Sequence, residues 1–337
     1  MTAPAKVKKK TALTGIKPSG TPHVGNYLGA IKPALSLVED YQPYYFIADY
    51  HALTTIRDKK TLKRYTHEVA ASWLALGLDP EEVVFYKQSD IPEIFELTWV
   101  LACFTGKGLL NRAHAYKASV DANLEAEREP DDGVNVGLYN YPVLMAADIL
   151  MFHTQVVPVG QDQRQHIEIT RDIANSFNHT YGDVLTVPDA HIVEDVATVP
   201  GLDGRKMSKS YGNILEIFAA PKQLRKQVMR IVTDSSRPED PKDPDADNVY
   251  NIFKYFADPV RLQEVRKQYL EGGLAYGDMK QELFEVLDAA FEEPRARYNE
   301  LMANPKEIDA ILQRGGEKAR PYATRLLGKI RKKIGLA

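Results

Sequence analysis

The chain has 337 residues, 44% of them apolar, enough for a substantial core and for two domains or one large one. Lys and Arg number 43 against 46 Asp and Glu, and this net charge of -3 excludes a globally basic nucleic-acid binder, leaving only local patches for RNA. The single cysteine, Cys103, excludes an intrachain disulfide, a multi-cysteine zinc site and a cysteine-ligated iron–sulfur cluster. It lies in an apolar stretch and reads as a small core residue. Residues 1–10 hold four lysines with no apolar run of signal-peptide type behind them, and no segment is long enough to span a bilayer, so the expectation is a cytoplasmic protein.

Residues 11–16 are β-prone and break into Lys17-Pro18-Ser19-Gly20-Thr21-Pro22, after which His23-Val24-Gly25-Asn26 opens an amphipathic helix. Strand, Gly/Pro-rich turn and helix form the first unit of a nucleotide-binding α/β sheet. Ligands in such sheets sit outside the carboxyl ends of the strands, near a helix N-terminus whose free amides favour phosphate. His23 and Asn26 stand at that opening, and Gly25 leaves room for a flat base against the backbone. A lone loop histidine is more often an ordinary surface residue.

Residues 43–51 read as a second buried strand, 59–78 as a helix closed at Gly77, 83–86 as a third strand and 92–104 as a mostly apolar helix. This alternation predicts a parallel, doubly wound sheet. The polar residues 117–133 read as an exposed inserted loop. Asn140-Tyr141-Pro142 starts a helix with the proline in its first turn. Tyr141, Met145 and Asp148 then share one face at i, i+4 and i+7. Asp148, set in Leu144-Met145-Ala146-Ala147-Asp148-Ile149-Leu150, needs a donor, supplied either by a structural neighbour or by a bound apolar ligand.

Residues 155–160 form another β-like run, and Gln161-Asp162-Gln163 begins a helix that runs to about residue 177. Asp162 with Gln165 fits a capping box. Gly160 at a strand end is equally a place where a ribose and an α-amino group could be held. The most specific stretch follows: Lys206-Met207-Ser208-Lys209-Ser210, between Gly204 and Gly212. Two lysines three apart, with hydroxyls between them on a bending loop, make a clamp for triphosphate. The bland alternative is a solvated surface loop.

Beyond it the pattern is helical, near 220–232, 248–257, 259–270 and 278–303, with a Pro/Asp-rich linker at 234–247. Residues 314–333 carry Arg320, Arg325, Lys329, Arg331, Lys332 and Lys333, with Glu317 as the only acid. Such runs are usually solvated faces; here this helix and the lysines at 6–10 are also the two places for a nucleic-acid backbone.

These residues resemble a known family. Gly15-Ile16-Lys17-Pro18-Ser19-Gly20, His23-Val24-Gly25-Asn26, Met145-Ala146-Ala147-Asp148, Val157-Pro158-Val159-Gly160-Gln161-Asp162-Gln163 and residues 206–210 are similar to motifs of the bacterial tryptophanyl-tRNA synthetases. The resemblance runs from about Thr11 to the C-terminus. It implies an α/β Rossmann-type doubly wound parallel sheet at 11–218, with an insertion at about 105–138, a basic tail at 1–10 and an all-helical tRNA-binding domain at 219–337.

It also implies roles. Lys17, Pro18, Ser19, Gly25 and Asn26 face ATP, Gly160, Gln161 and Asp162 line the adenosine, and Val199 walls the adenine. Lys206 and Lys209 serve the departing pyrophosphate, and Met207, Ser208 and Ser210 of the same loop bind ATP. His23 and Asn26 are the class-signature pair, and Lys117 is a further phosphate lysine. Tyr141 and Gln163 hold the α-ammonium of tryptophan, Met145 and Asp148 meet its indole, and His51 is a further pocket member. Mg²⁺ rides mainly on the phosphates, with no protein metal site. The partners implied are tRNA(Trp) and a second copy in a homodimer. Lys17 stands where many relatives have glutamine, Asn26 replaces the second signature histidine, and Leu13 stands where some relatives have an aromatic. A tyrosyl-specific enzyme, a small-molecule adenylyltransferase and an inert RNA-binding paralogue are the alternatives. The Met145/Asp148 face, the basic helical tail and the two nucleotide signatures respectively argue against them.

Overall fold

A computed structural model describes residues 9–159, 164–192 and 199–337. Gly160, Gln161, Asp162 and Gln163, together with Lys6 and Lys8 of the tail, lie outside the described residues. Tyr44, Tyr45, Phe46 and Ile47 are all buried, so their strand must be covered on both faces. It is an inner strand. Among the described residues the strands are β1 (Lys10–Ile16), β2 (Tyr41–Ile47), β3 (Val84–Lys87), β4 (Val156–Val159) and β5 (Asp189–Ile192). They lie in the order β3-β2-β1-β4-β5, each neighbour parallel, with Lys10 opposite Tyr41 and Ile16 opposite Ile47. The strand order reverses between β1 and β4, which makes the crevice at their carboxyl ends the natural ligand site.

Helix α1 (Val24–Asn26) passes through a π-helical turn, Tyr27–Ile31, into α2 (Lys32–Ser36). Next come α3 (Asp49–Ala52), α4 (Lys59–Ala75), α5 (Glu93–Ala102), α6 (Lys107–Leu110), α7 (His114–Glu125), α8 (Val136–Met151) and α9 (Arg164–Tyr181). Asp58 caps α4 by accepting from the Thr61 amide at 2.7 Å, and Gly77 closes it with φ +108°. The helical region holds α10 (Pro221–Val228), α11 (Asn248–Phe253), α12 (Pro259–Glu271), α13 (Tyr276–Ala303) and α14 (Pro305–Ile334).

Three apolar cores follow from this layout. One face of the sheet packs Leu13, Tyr44 and Phe46 against α5, α8, α9 and the second half of α14. The other packs Tyr45, Ile47 and Phe85 against α4 and the first half of α14. The third joins α1 and Met207 to α10–α13. Helix α14 therefore lies across the edge strand β3, so the otherwise open edge is covered. Gly315 makes this possible, because a Cβ there would stand 1.7 Å from the Phe85 carbonyl oxygen.

Several expectations change. The second strand stops at Ile47, and His51 lies in the one-turn helix α3. Residues 117–133 are not wholly loop, since α7 reaches Glu125; alanines and a leucine among the polar residues carry enough helix propensity. Helix α8 begins at Val136, not at 140, because Asn135 supplies a cap by accepting from the Leu138 amide at 3.0 Å. Pro142 is therefore interior. Cys103 is exposed, since α5 also leaves Phe95 and Trp99 uncovered. Strand β5 went unforeseen: Asp189-Ala190-His191-Ile192 has no apolar run and, among the described residues, pairs only with β4.

Helix α14 is basic, yet much of its charge is spent on docking. Lys318 pairs with Glu81 at 3.3 Å, Arg320 with Glu93 at 3.1 Å, and Arg331 with Glu96 through Nε at 2.7 Å. In an exposed helix Gly→Ala gains about 1 kcal/mol of propensity. At residue 315 the clash with β3 reverses the sign, so Gly315→Ala is expected to cost about 2–4 kcal/mol in denaturant unfolding. Gly328→Ala, on the same helix with open space at its Cβ, is the matched control and is expected not to destabilise.

Candidate active site

The turn after β1 and the lysine loop meet at the carboxyl end of that strand. His23 caps α1 through Nδ1, which accepts from the Asn26 amide at 3.2 Å, while Asn26 Oδ1 accepts from the His23 amide at 3.2 Å. This reciprocal box gives the His-x-x-Asn spacing a local reason, alongside any role toward a ligand. Residue 23 also bridges to Glu216, and the Val24 amide donates to the Leu215 carbonyl at 3.0 Å, which ties the turn to the strand-like exit of the lysine loop.

Met207 is buried, and its Sδ accepts from the Gly25 amide at 3.3 Å. Val199 lies in the same core and accepts the Met207 amide through its carbonyl at 3.0 Å. Asn213 is buried behind the loop: Oδ1 accepts from the Ser208 amide at 2.8 Å, and Nδ2 donates to Asp203 and to the Lys206 carbonyl. Ser208 Oγ in turn accepts from the Ser210 amide. Lys206 is exposed, and Lys209 Nζ reaches across to donate to the Ser19 carbonyl at 2.8 Å. Residues 206–210 and Gly25 are therefore in contact.

Electrostatics at this junction favour an anion. Partial desolvation lowers the Lys209 ammonium below its usual value, against an opposing pull from the Glu68 carboxylate. Burial, and then the nearby Lys209, hold His23 down at about 4. Its ring is neutral at pH 7. Burial likewise lowers Lys17, whose Nζ lies 3.4 Å from Thr54 Oγ1. Pro18 is buried and Ser19 exposed on the same turn.

A second cluster forms around Asp148, which is 1% exposed. Gln88 Nε2 donates to both carboxylate oxygens at 2.9 and 2.8 Å, and His51 Nε2 stands 3.0 Å from Oδ2. With the carboxylate ionised, Nε2 is the donor of this bond. That leaves His51 Nδ1 buried without a hydrogen-bond partner among the described residues. Burial raises Asp148 despite these bonds. The Tyr141 ring lies 4.2 Å from that of His51 and 5.8 Å from that of His166. Met145 packs half-buried on the first core.

Gln88 is the residue that sequence reading missed most clearly. It is fully buried just beyond β3, and its Oε1 accepts from the Tyr50 and His51 amides. A glutamine at the carboxyl end of a buried strand is the signal that was there. Tyr86 and His166 were missed too. Lys117 is exposed on α7, and among the described residues no hydrogen bond or ion pair ties its ammonium to the lysine loop.

Two cavities lie elsewhere. One of about 750 Å³ is lined by Asp49, Arg57, Lys59, His67 and Asp309, and one of about 1240 Å³ opens at the amino ends of the strands between Tyr44, Phe152 and Tyr322. Neither is lined by the lysine loop.

Comparisons with known proteins agree with this geometry. The family model for tRNA synthetases class I (W and Y) matches residues 6–292. A tryptophan–tRNA ligase of Pseudomonas aeruginosa is 53% identical over 96% of this chain and 73% of its own length. One from Neisseria meningitidis is 49% identical over 98% of this chain and 99% of its own. The crystal structure of tryptophanyl-tRNA synthetase from Campylobacter jejuni, complexed with ADP and tryptophan, has a TM-score of 0.88 at 46% identity and covers 97% of this chain and 100% of that one.

The His23 ring gives a direct test of the electrostatics. Its folded pKa lies below the ordinary 6.5, so the unfolded chain takes the proton first as pH falls. Stability from this group is therefore present above pH 6.5 and lost as pH drops towards about 4. Imidazole NMR is expected to show His23 titrating near 4, and a midpoint near 6.5 would mean the ring is solvated and remote from Lys209.

Proposed function

The chain belongs to the class I tRNA synthetases of the tryptophan and tyrosine family, and from that membership and the geometry we propose how its residues divide the reaction. It is an aminoacyl-tRNA ligase that activates L-tryptophan with ATP and transfers it to tRNA. The observation that carries the residue-level reading is the contact of the lysine loop with the turn after β1, through Met207–Gly25 and Lys209–Ser19.

In the first step a tryptophan carboxylate oxygen attacks the α-phosphorus of ATP, and the bond to the β-phosphate bridging oxygen breaks, giving tryptophanyl-adenylate and pyrophosphate. No protein nucleophile is needed. Rate comes from positioning and from charge aimed at the phosphates. Lys209 and Lys206 supply that charge, with Lys117 as a further phosphate lysine. Lys17, Pro18 and Ser19 form the floor of the phosphate site, and Gly25 and Asn26 the adenine side. His23 stays neutral and orders the turn. Ser208 and Ser210 offer hydroxyls, and Val199 and Met207 back the base. Gly160, Gln161 and Asp162 are assigned to the adenosine and Gln163 to the α-ammonium on the family pattern alone.

Mg²⁺ enters as part of the nucleotide substrate. Among the described residues no three His, Cys, Asp or Glu side chains stand together as a metal cage. In the second step a ribose hydroxyl at the 3′ end of tRNA(Trp) attacks the carbonyl of the adenylate and AMP leaves. The basic residues of α14 outside its ion pairs, Arg325, Lys329, Lys332 and Lys333, are the proposed backbone contacts of the helical region.

Selectivity is assigned to the Asp148 cluster. Gln88 and His51 hold the carboxylate, and Tyr141 and Met145, on the same helix, are proposed to contact the indole ring. A ligand without the indole N–H leaves buried acceptors unpaired, which rejects it strongly. None of the helices of the described residues is long and apolar enough to cross a membrane, and we place the reaction in the cytoplasm. We assign the exposed Phe95 and Trp99, one turn apart on α5, to the face of a homodimer.

Exchange of labelled pyrophosphate into ATP, run with each of the twenty amino acids, tests the whole reading. Tryptophan alone is expected to support it; exchange with tyrosine at equal rate would move the assignment within the family. In the same assay Lys209→Ala is expected to lower the rate by about a hundred-fold with little change in tryptophan affinity. Asp148→Ala is expected to raise the KM for tryptophan and to shrink its preference over tyrosine by about ten-fold or more. Unchanged preference would make the carboxylate purely structural. For the assembly, light scattering is expected to give a dimer mass for the wild type and a monomer mass for Trp99→Glu.

A further inference from the structure

Lys209 has a second neighbour that the reaction scheme leaves unused. Glu68, on the middle of α4, faces the same turn: a Cβ built on Gly20 would stand 3.4 Å from both Glu68 Oε2 and Lys209 Nζ. The Tyr65 ring would be 3.3 Å from that point. Gly20 has φ +87°, a conformation that favours glycine, and its missing side chain leaves the two charges facing one another across the backbone. Glu68 is well covered, its side chain 16% exposed, and its other oxygen, Oε1, lies 3.6 Å from Arg64 Nε. Helix α13 closes the remaining side, where Tyr298 hydrogen-bonds Thr21 at 3.2 Å and stacks on Phe218 with centroids 4.2 Å apart. The lysine proposed to meet phosphate is thus held on the Ser19 carbonyl beside a carboxylate.

We propose that Glu68 is a positioning residue for the nucleotide step: its carboxylate keeps the Lys209 ammonium parked on the Ser19 carbonyl until the phosphates of ATP compete for it. The inference rests on the reading of Lys209 as a phosphate ligand. Its energetic content is a difference between states. The attraction stabilises the empty site only, so it weakens ATP binding and leaves the barrier from bound substrate to transition state alone. Removing the charge therefore acts on KM rather than on kcat. A plain repulsion between Glu68 and the incoming phosphates would also weaken ATP, but it would not depend on Lys209.

The experiment is a double-mutant cycle on ATP affinity, measured by equilibrium titration at low salt with wild type, Glu68→Gln, Lys209→Ala and the double variant, alongside exchange kinetics. Glu68→Gln is expected to bind ATP about two- to five-fold tighter, the scale of a partly screened pair, with kcat little changed. In the Lys209→Ala background the same substitution is expected to have no effect. An equal tightening in both backgrounds, or no tightening in either, overturns the proposal. Wild type that fails to bind ATP removes the underlying reading and this inference with it, whereas wild type that binds with a flat cycle removes this inference alone.

Discussion

Met207 carries its thioether into the core beneath the nucleotide turn, where Sδ accepts the Gly25 amide, and this one buried side chain decides where its exposed neighbours can reach. A sulfur acceptor is weak, so most of the holding comes from apolar burial beside Val24, Leu28 and Val199, about 1.5–3 kcal/mol for a side chain of this size. Asn213 secures the loop from behind by pairing with the Ser208 amide and the Lys206 carbonyl. The loop is thus pinned at its centre and at its base. Lys206 and Lys209 extend from this anchored backbone, an arrangement that suits the proposed grip on a polyanion.

The Asp148 cluster obeys the opposite logic. A carboxylate with almost no exposure is costly unless its lone pairs are met, and Gln88 and His51 meet most of them. Gln88 is itself fixed by two backbone amides of α3, so the charge sits on a rigid chain of bonds running from β3 through α3 to α8. Rigidity of this kind separates ligands by what they donate rather than by size alone. The lysine loop is thus anchored at its centre and base, whereas the carboxylate of Asp148 is bonded on both oxygens.

The α/β class and the parallel sheet were legible because apolar runs alternated with helical periods, and the lysine loop because its residue types are rarely placed together by chance. Boundaries failed where a cap lay outside the apolar pattern, as Asn135 does five residues before the assumed start of α8. Strand β5 failed because an edge strand paired on one side needs little apolar content. Motifs named the residues proposed to face ligands; the residues packed behind them carry no motif. Gln88, Glu68 and Asn213 are brought to the site only by tertiary packing, and no local spacing marks a residue whose partner lies on another element. The basic run of α14 shows the same limit, since three of its charges answer acids in the turn before β3 and on α5.

The lid that α14 makes over β3 has a consequence for how the protein is made. Residues Val84–Lys87 emerge from the ribosome long before Pro305–Ile334, and until the later segment arrives the outer strand presents unpaired backbone groups to its surroundings. The nascent sheet must wait, open on one flank, through synthesis of the entire helical region. Helices α10–α13 can condense in that interval, so the half that carries the chemistry is the last to be sealed. At about 5–20 residues per second that exposure lasts on the order of tens of seconds.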